Sequence, residues 1–248
     1  MIMMAYEVLR TTFIPLPIPN HGGPLSPLEN KYLLCNSASF IVRLMRPLND
    51  MKLPGNFEEA LHLLNGRLAL DRAPRYNLVV CGGTALNATG LISRTTKDVD
   101  IVALMGRNQA LLDPAPLPQP LVDAALVVAE NLRLPSDWLN NGPSSGDGGL
   151  FRLGLPDGIA KRLIWKTYGK NLRVGFIHRF DQIDFKLYAA VDQHGGYHAD
   201  DLHMLAPTED ELLEAARWAK THDSSEGFSQ GLKWFLEEFG YGHLVPRI

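Results

Sequence analysis

Asp98 and Asp100 stand one residue apart in Thr96-Lys97-Asp98-Val99-Asp100-Ile101-Val102, a run that reads as a strand. Successive strand side chains leave on opposite faces, so the two carboxylates share one face and Val99 takes the other. Side by side, they repel and call for a neutralising partner. A hard divalent cation bound through oxygen is the natural one, magnesium most economically, with manganese as the alternative. Upstream, apolar Val79-Val80-Cys81 runs into Gly82-Gly83-Thr84. Glycines let backbone approach a ligand closely, and N–H groups at a helix start can meet an anion. Thr84 adds a hydroxyl, while Arg94 and Lys97 can balance phosphate charge, as a bidentate fork and a point charge respectively. A phosphate cradle beside a carboxylate pair is the physical minimum for magnesium-dependent phosphoryl or nucleotidyl transfer.

These residues need two strands and a short helix to hold them. The spacing predicts a first strand over Asn77 to Cys81, a helix over Thr84 to Thr89 stopped at Gly90, and a second strand ending at Leu104. Ahead of them, Phe57, Ala60, Leu61, Leu64 and Leu68 recur at helical spacing behind an Asn56/Glu59 capping box. Beyond them come a proline-rich connection from Asp113 to Pro120 and a helix over Leu121 to Leu132. A short strand over Asp137 to Asn140 follows, then a hairpin of Leu163 to Thr167 with Leu172 to Ile177. After Arg179 the pattern is helical: Gln182 to Asp192, Ala199 to Leu205, Thr208 to His222 and Phe228 to Phe239. Thr208 with Glu211 forms a second capping box. Residues 1–55, rich in proline and glycine, read as an extended arm of unassigned role. The expected organisation is therefore that arm, a mixed core over 56–177 and a helical region over 178–248, an α+β fold.

The chain of 248 residues can bury a sizeable core. Its net charge of -3 gives no general argument for a nucleic-acid surface. Cys35 and Cys81 are too few for a disulfide framework, and no run approaches the roughly 20 apolar residues that span a bilayer. Met1 to Pro15 lacks the charged and apolar regions of a signal peptide. The expectation is a soluble cytoplasmic protein without membrane partners.

Apolar-Gly-Gly-Thr-Ala followed by Arg94-Thr95 and Asp98-Val99-Asp100 resembles the nucleotidyltransferase fold of the DNA polymerase β superfamily. The likeness is greatest to its AbiEii-like bacterial toxin branch. It covers Tyr76 to Leu104, with a second block at Phe185-Lys186-Leu187-Tyr188 and His198-Ala199-Asp200-Asp201-Leu202. The resemblance implies a nucleotidyltransferase-like small mixed sheet flanked by helices, with a helical C-terminal part. It also implies transfer of a nucleoside monophosphate from a nucleoside triphosphate such as ATP to a protein, RNA or small-molecule hydroxyl. A toxin role with an antitoxin partner comes with that branch. Catalytic and metal-binding roles fall to Asp98 and Asp100. Nucleotide contacts fall to Gly82, Gly83, Thr84, Arg94, Lys97 and Lys186, with Asp201 pairing the lysine. Superfamily members place a third carboxylate, the base for the incoming hydroxyl, on a neighbouring strand. Asp137 is the choice here, ahead of Asp123, Glu130 and Asp157. If no third acid reaches the site, the alternative is an inactive nucleotide- or partner-binding module retaining the fold. Read without the resemblance, Lys186 would simply snorkel from an apolar helix. His194, His198 and His203 do not share one helix face and lack the four ligands of a structural zinc site.

Overall fold

The structure, a computed structural model, describes residues 57–93 and 95–248. The expected N-terminal arm, the cap at Asn56 and the side chain of Arg94 lie outside the described residues.

The first element is helix α1 (Phe57–Leu70), which buries Phe57, Ala60, Leu61, Leu64 and Leu68, the stripe its spacing dictates. Glu58 and Glu59 in its first turn and Arg67 in its last complement the helix dipole. Strand β1 (Tyr76–Cys81) follows, with Leu78 to Cys81 all buried. Such a continuous apolar run marks a strand covered on both faces. Helix α2 (Gly82–Ala88) begins at the glycines themselves, two residues earlier than the sequence predicts. Gly90, at φ +72°, ends its C-terminal turn as expected.

Strand β2 (Val99–Met105) returns antiparallel to β1, with Cys81 opposite Asp100. Its outer edge is shared by two strands of two residues each. β3 (Leu111–Leu112) pairs antiparallel at one end, and β4 (Leu139–Asn140) pairs parallel at the other. On the far side of β1, β6 (Leu172–Phe176) runs parallel to it, and β5 (Ile164–Thr167) closes the hairpin with β6. The strand order is β3-β2-β1-β6-β5, with β4 added to β2, a small mixed sheet flanked by helices.

Helix α3 (Gln119–Leu132) packs against α1, and both join the sheet in one apolar core. Trp138 is fully buried there, and its indole N–H donates to the Ala125 carbonyl at 2.9 Å. That bond fastens the approach to β4 onto α3. Two one-turn helices, α4 (Leu150–Leu153) and α5 (Ile159–Arg162), lie between β4 and β5.

The C-terminal helices are α6 (Arg179–Asp192), α7 (Tyr197–Leu205), α8 (Glu209–His222) and α9 (Glu226–Glu238). Their apolar faces form a second core, which also takes in Leu86 from α2 and Ile92. Each leucine buried there contributes roughly 1.5–3 kcal/mol. Helix α6 is the joint: it packs on α7, α8 and α9, and also meets α2 beside the sheet. Arg179 fixes its start by donating to the Leu205 carbonyl at 3.0 Å and to Glu211 at 2.5 Å. Glu211 closes the Thr208 capping box that begins α8, as the sequence predicts. Among the described residues, no helix is long and apolar enough to cross a membrane.

Candidate active site

Alternation along β2 has the consequence that its sequence implies. Val99 is buried, whereas Asp98 and Asp100 are half-buried and both line a cleft of about 930 Å³. Gly82 and Gly83 form the facing wall, with Lys97 and Thr95 on the loop that leads into β2. The acid pair and the glycine bend therefore face one space.

Gly82 has φ +70°, a conformation that side chains resist. A Cβ placed there would lie 2.7 Å from Oδ2 of Asp100. The glycine is thus required twice, by backbone geometry and by the closeness of the acid. Gln182 on α6 supports the bend, its Nε2 donating to the Gly82 carbonyl at 3.5 Å.

Thr84 departs from expectation. Its side chain is 1% exposed, and Oγ1 donates to the Asp98 carbonyl at 2.6 Å, with Thr96 Oγ1 at 3.2 Å. The hydroxyl is spent on holding the Asp98 backbone against α2 and is turned away from the cleft. The departure concerns the expected hydroxyl contact, not the backbone N–H of Thr84.

Burial, and next the charge of Asp98, push the Asp100 carboxyl up to about 6, against a hydrogen bond from Asn140 and the charge of Lys186. The Cys81 thiol opposite it is pushed up by burial and then by Asp100, so it stays protonated and inert. A cation between the two acids would relieve both effects.

Asp137, the expected third acid, is not brought to this site. It sits exposed in the turn before β4, and the strand is two residues shorter than predicted. Parallel pairing sets Asn140, not Asp137, opposite Asp100. The Asn140 side chain hydrogen-bonds Asp100 and accepts from the Gly142 N–H at 2.7 Å. Asp123 and Glu130 on α3, and Asp157 in its turn, do not line the cleft either. Among the described residues, no three His, Cys, Asp or Glu side chains come together as a metal-ligand set. Two carboxylates still suit magnesium, which takes one or two protein carboxylates and completes its shell with phosphates and water. They do not make the three-acid frame of a two-metal site.

Helix α6 supplies the opposite wall. Lys186 is 4% exposed, and its ammonium lies 2.8 Å from Asp201, which is 1% exposed. His198 Nδ1 is 3.5 Å away and the Tyr197 ring 5.6 Å from the ammonium. Lys186 therefore does not snorkel to bulk water; its charge is held at the cleft wall by a buried partner. Asp200, in the first turn of α7, stays exposed. The residues that sequence reasoning missed are Asn140, Gln182 and the Tyr197-His198 pair. Only the Asn140-Asn141-Gly142 turn carried a local signal, as a strand end.

No protein-family model, curated protein or solved structure matches this chain.

Proposed function

We propose that the cleft binds a nucleoside triphosphate with magnesium on Asp98 and Asp100, and transfers the nucleoside monophosphate to an acceptor hydroxyl. The observation that carries this reading is the convergence of the acid pair and the Gly82 bend on one cleft, with 2.7 Å between Asp100 Oδ2 and the missing Cβ. Asp98 and Asp100 would hold magnesium, which supplies Lewis-acid polarisation of the phosphoryl oxygens and neutralises charge that builds on them. The N–H groups of Gly82 and Gly83 would approach phosphate closely, and Lys97, which lines the same cleft, would balance its charge. Lys186 puts a second cation at the wall. The nucleotidyltransferase-like identity of the sheet, and a toxin role with an antitoxin partner, rest on the motif resemblance and belong to the same proposal.

The test is pyrophosphate release with magnesium, each nucleoside triphosphate and pools of protein, tRNA or small-molecule acceptors. The parent should release pyrophosphate, and Asp98→Ala and Asp100→Ala should not, while both variants melt cooperatively. Equal release by parent and variants would overturn the assignment.

Asn140 supports a second reading, binding without transfer. An amide opposite Asp100 cannot take the proton of an incoming hydroxyl. Calorimetric binding of magnesium–triphosphate with no pyrophosphate release from any pool would select that reading. Arrested growth on expressing the parent, but not Asp98→Ala, would support the toxin role.

A further inference from the structure

A different face of α6 borders a second cavity, of about 550 Å³, which shares no lining residue with the acid-pair cleft. Its walls come from the Leu153–Asp157 segment, from Phe180 and Asp184 of α6, and from Glu214, Trp218 and His222 of α8. Asp184 is 4% exposed, and among the described residues none donates it a hydrogen bond. The nearby Arg162 is already committed, its guanidinium forking onto Asp181 at 3.2 Å and 2.5 Å and donating to the Asp157 carbonyl at 2.7 Å.

His222 also lines the cavity, its Nδ1 3.1 Å from both the Trp218 carbonyl and Thr221 Oγ1. Its Nε2 is buried and has no hydrogen-bond partner. The Asp184 carboxyl lines this space without a hydrogen-bond donor among the described residues, and the exposed Glu214 carboxylate stands at the rim. A buried polar group left unmatched costs about 1–3 kcal/mol, so a charged donor that takes up the ionised form of Asp184 would supply the match it lacks. Beside Arg162 and Thr221, the lining includes Phe180, Trp218, Leu155 and Pro156, an apolar surface that favours an organic body over a hydrated metal ion. The described residues offer no set of three metal-ligating side chains here.

We propose that this cavity is a binding site for a small organic amine, its ammonium held by Asp184 and Glu214 and its apolar body against Trp218 and Phe180. The proposal is independent of the chemistry assigned to Asp98 and Asp100.

Burial, then the charges of Asp181 and Glu214, push the Asp184 carboxyl up to about 8 against the pull of Arg162. At neutral pH it therefore carries a proton that an arriving ammonium displaces to solvent. Asp157 at the rim, Arg162 and His222 complete the titratable groups facing it.

Calorimetry with 2-phenylethylamine and its neutral analogue 2-phenylethanol, at pH 7 in two buffers of different ionisation heat, tests this on the full chain. The amine should bind with release of about one proton. Asp184→Asn should weaken it by at least about tenfold, the loss expected for one hydrogen bond to a charged group. The alcohol should bind the parent correspondingly more weakly. Glu214→Gln, at an exposed position that does not touch the core, should weaken the amine severalfold and serves if Asp184→Asn fails to fold. Equal binding of alcohol and amine, undiminished binding by the variants, or no amine binding at millimolar concentration would each overturn the proposal.

Discussion

Oδ2 of Asp100 lies 2.7 Å from the point where a side chain on Gly82 would begin. Glycine at this bend is what allows an acid on β2 to reach the start of α2. The cleft owes its form to that close approach, which brings the Asp100 carboxylate and the Gly82 bend onto one space.

Gly82→Ala should therefore fail in two ways. A methyl group must push against the carboxylate, and φ +70° strains any residue with a Cβ. The expected cost is roughly 1–3 kcal/mol of stability, read by denaturant unfolding, together with loss of magnesium–triphosphate binding by calorimetry. A variant with parental stability would mean that the bend relaxes freely and constrains nothing.

Asp100→Asn separates function from stability. The carboxyl is held near 6 by burial and by Asp98, so the unliganded fold tolerates it at a cost. The amide should raise the melting temperature of the unliganded protein and abolish magnesium-dependent triphosphate binding. A lower melting temperature would make Asp100 a structural residue.

Lys186 and Asp201 are a buried pair at 2.8 Å. Lys186→Met strands a buried carboxylate and should cost about 3–5 kcal/mol. Adding Asp201→Asn should recover much of this, since no uncompensated charge remains. Triphosphate affinity should stay low in both. If the double variant regains it, Lys186 serves only to neutralise Asp201.

Asp184 gives a pH signature. Its carboxyl lies at about 8 when folded, against 3.8 ordinarily, so between those values the native state binds more protons than the unfolded chain. Its contribution to stability must then fall as pH rises through that window. Asp184→Asn should gain on the parent from pH 4 to 8 and level off above, by an amount on the order of a few kcal/mol. Urea unfolding at intervals across the range checks the slope; a constant difference would refute it.

Much of the scaffold was legible because local rules suffice for it. The α1 stripe, the β1 apolar run, the Thr208 capping box and the helices after Arg179 each follow from spacing within one segment. The shared face of Asp98 and Asp100 is equally local, a matter of strand alternation. Two-residue strands carry no periodicity, so β3 could not be read, and β4 only approximately. Thr84 misled for a related reason: a threonine after two glycines suits a phosphate, and nothing local reveals that its hydroxyl meets the Asp98 carbonyl, fourteen residues on.

By itself, then, the sequence determined the order of elements, their buried stripes and the side-by-side projection of two acids, because each is set by the repeat of a single helix or strand. Only the tertiary structure decided which residue stands beside those acids, since the register of β4 on β2 puts Asn140 there and leaves Asp137 in an exposed turn. It also decided the fate of the charges on α6. Asp181, Asp184 and Lys186 lie on a helix of nearly neutral mean hydropathy, yet all three are buried. Arg162 meets the first and Asp201 the third, while Asp184 is left facing a cavity. Pairing and burial of charge depend on segments distant in the chain, and no local pattern records them.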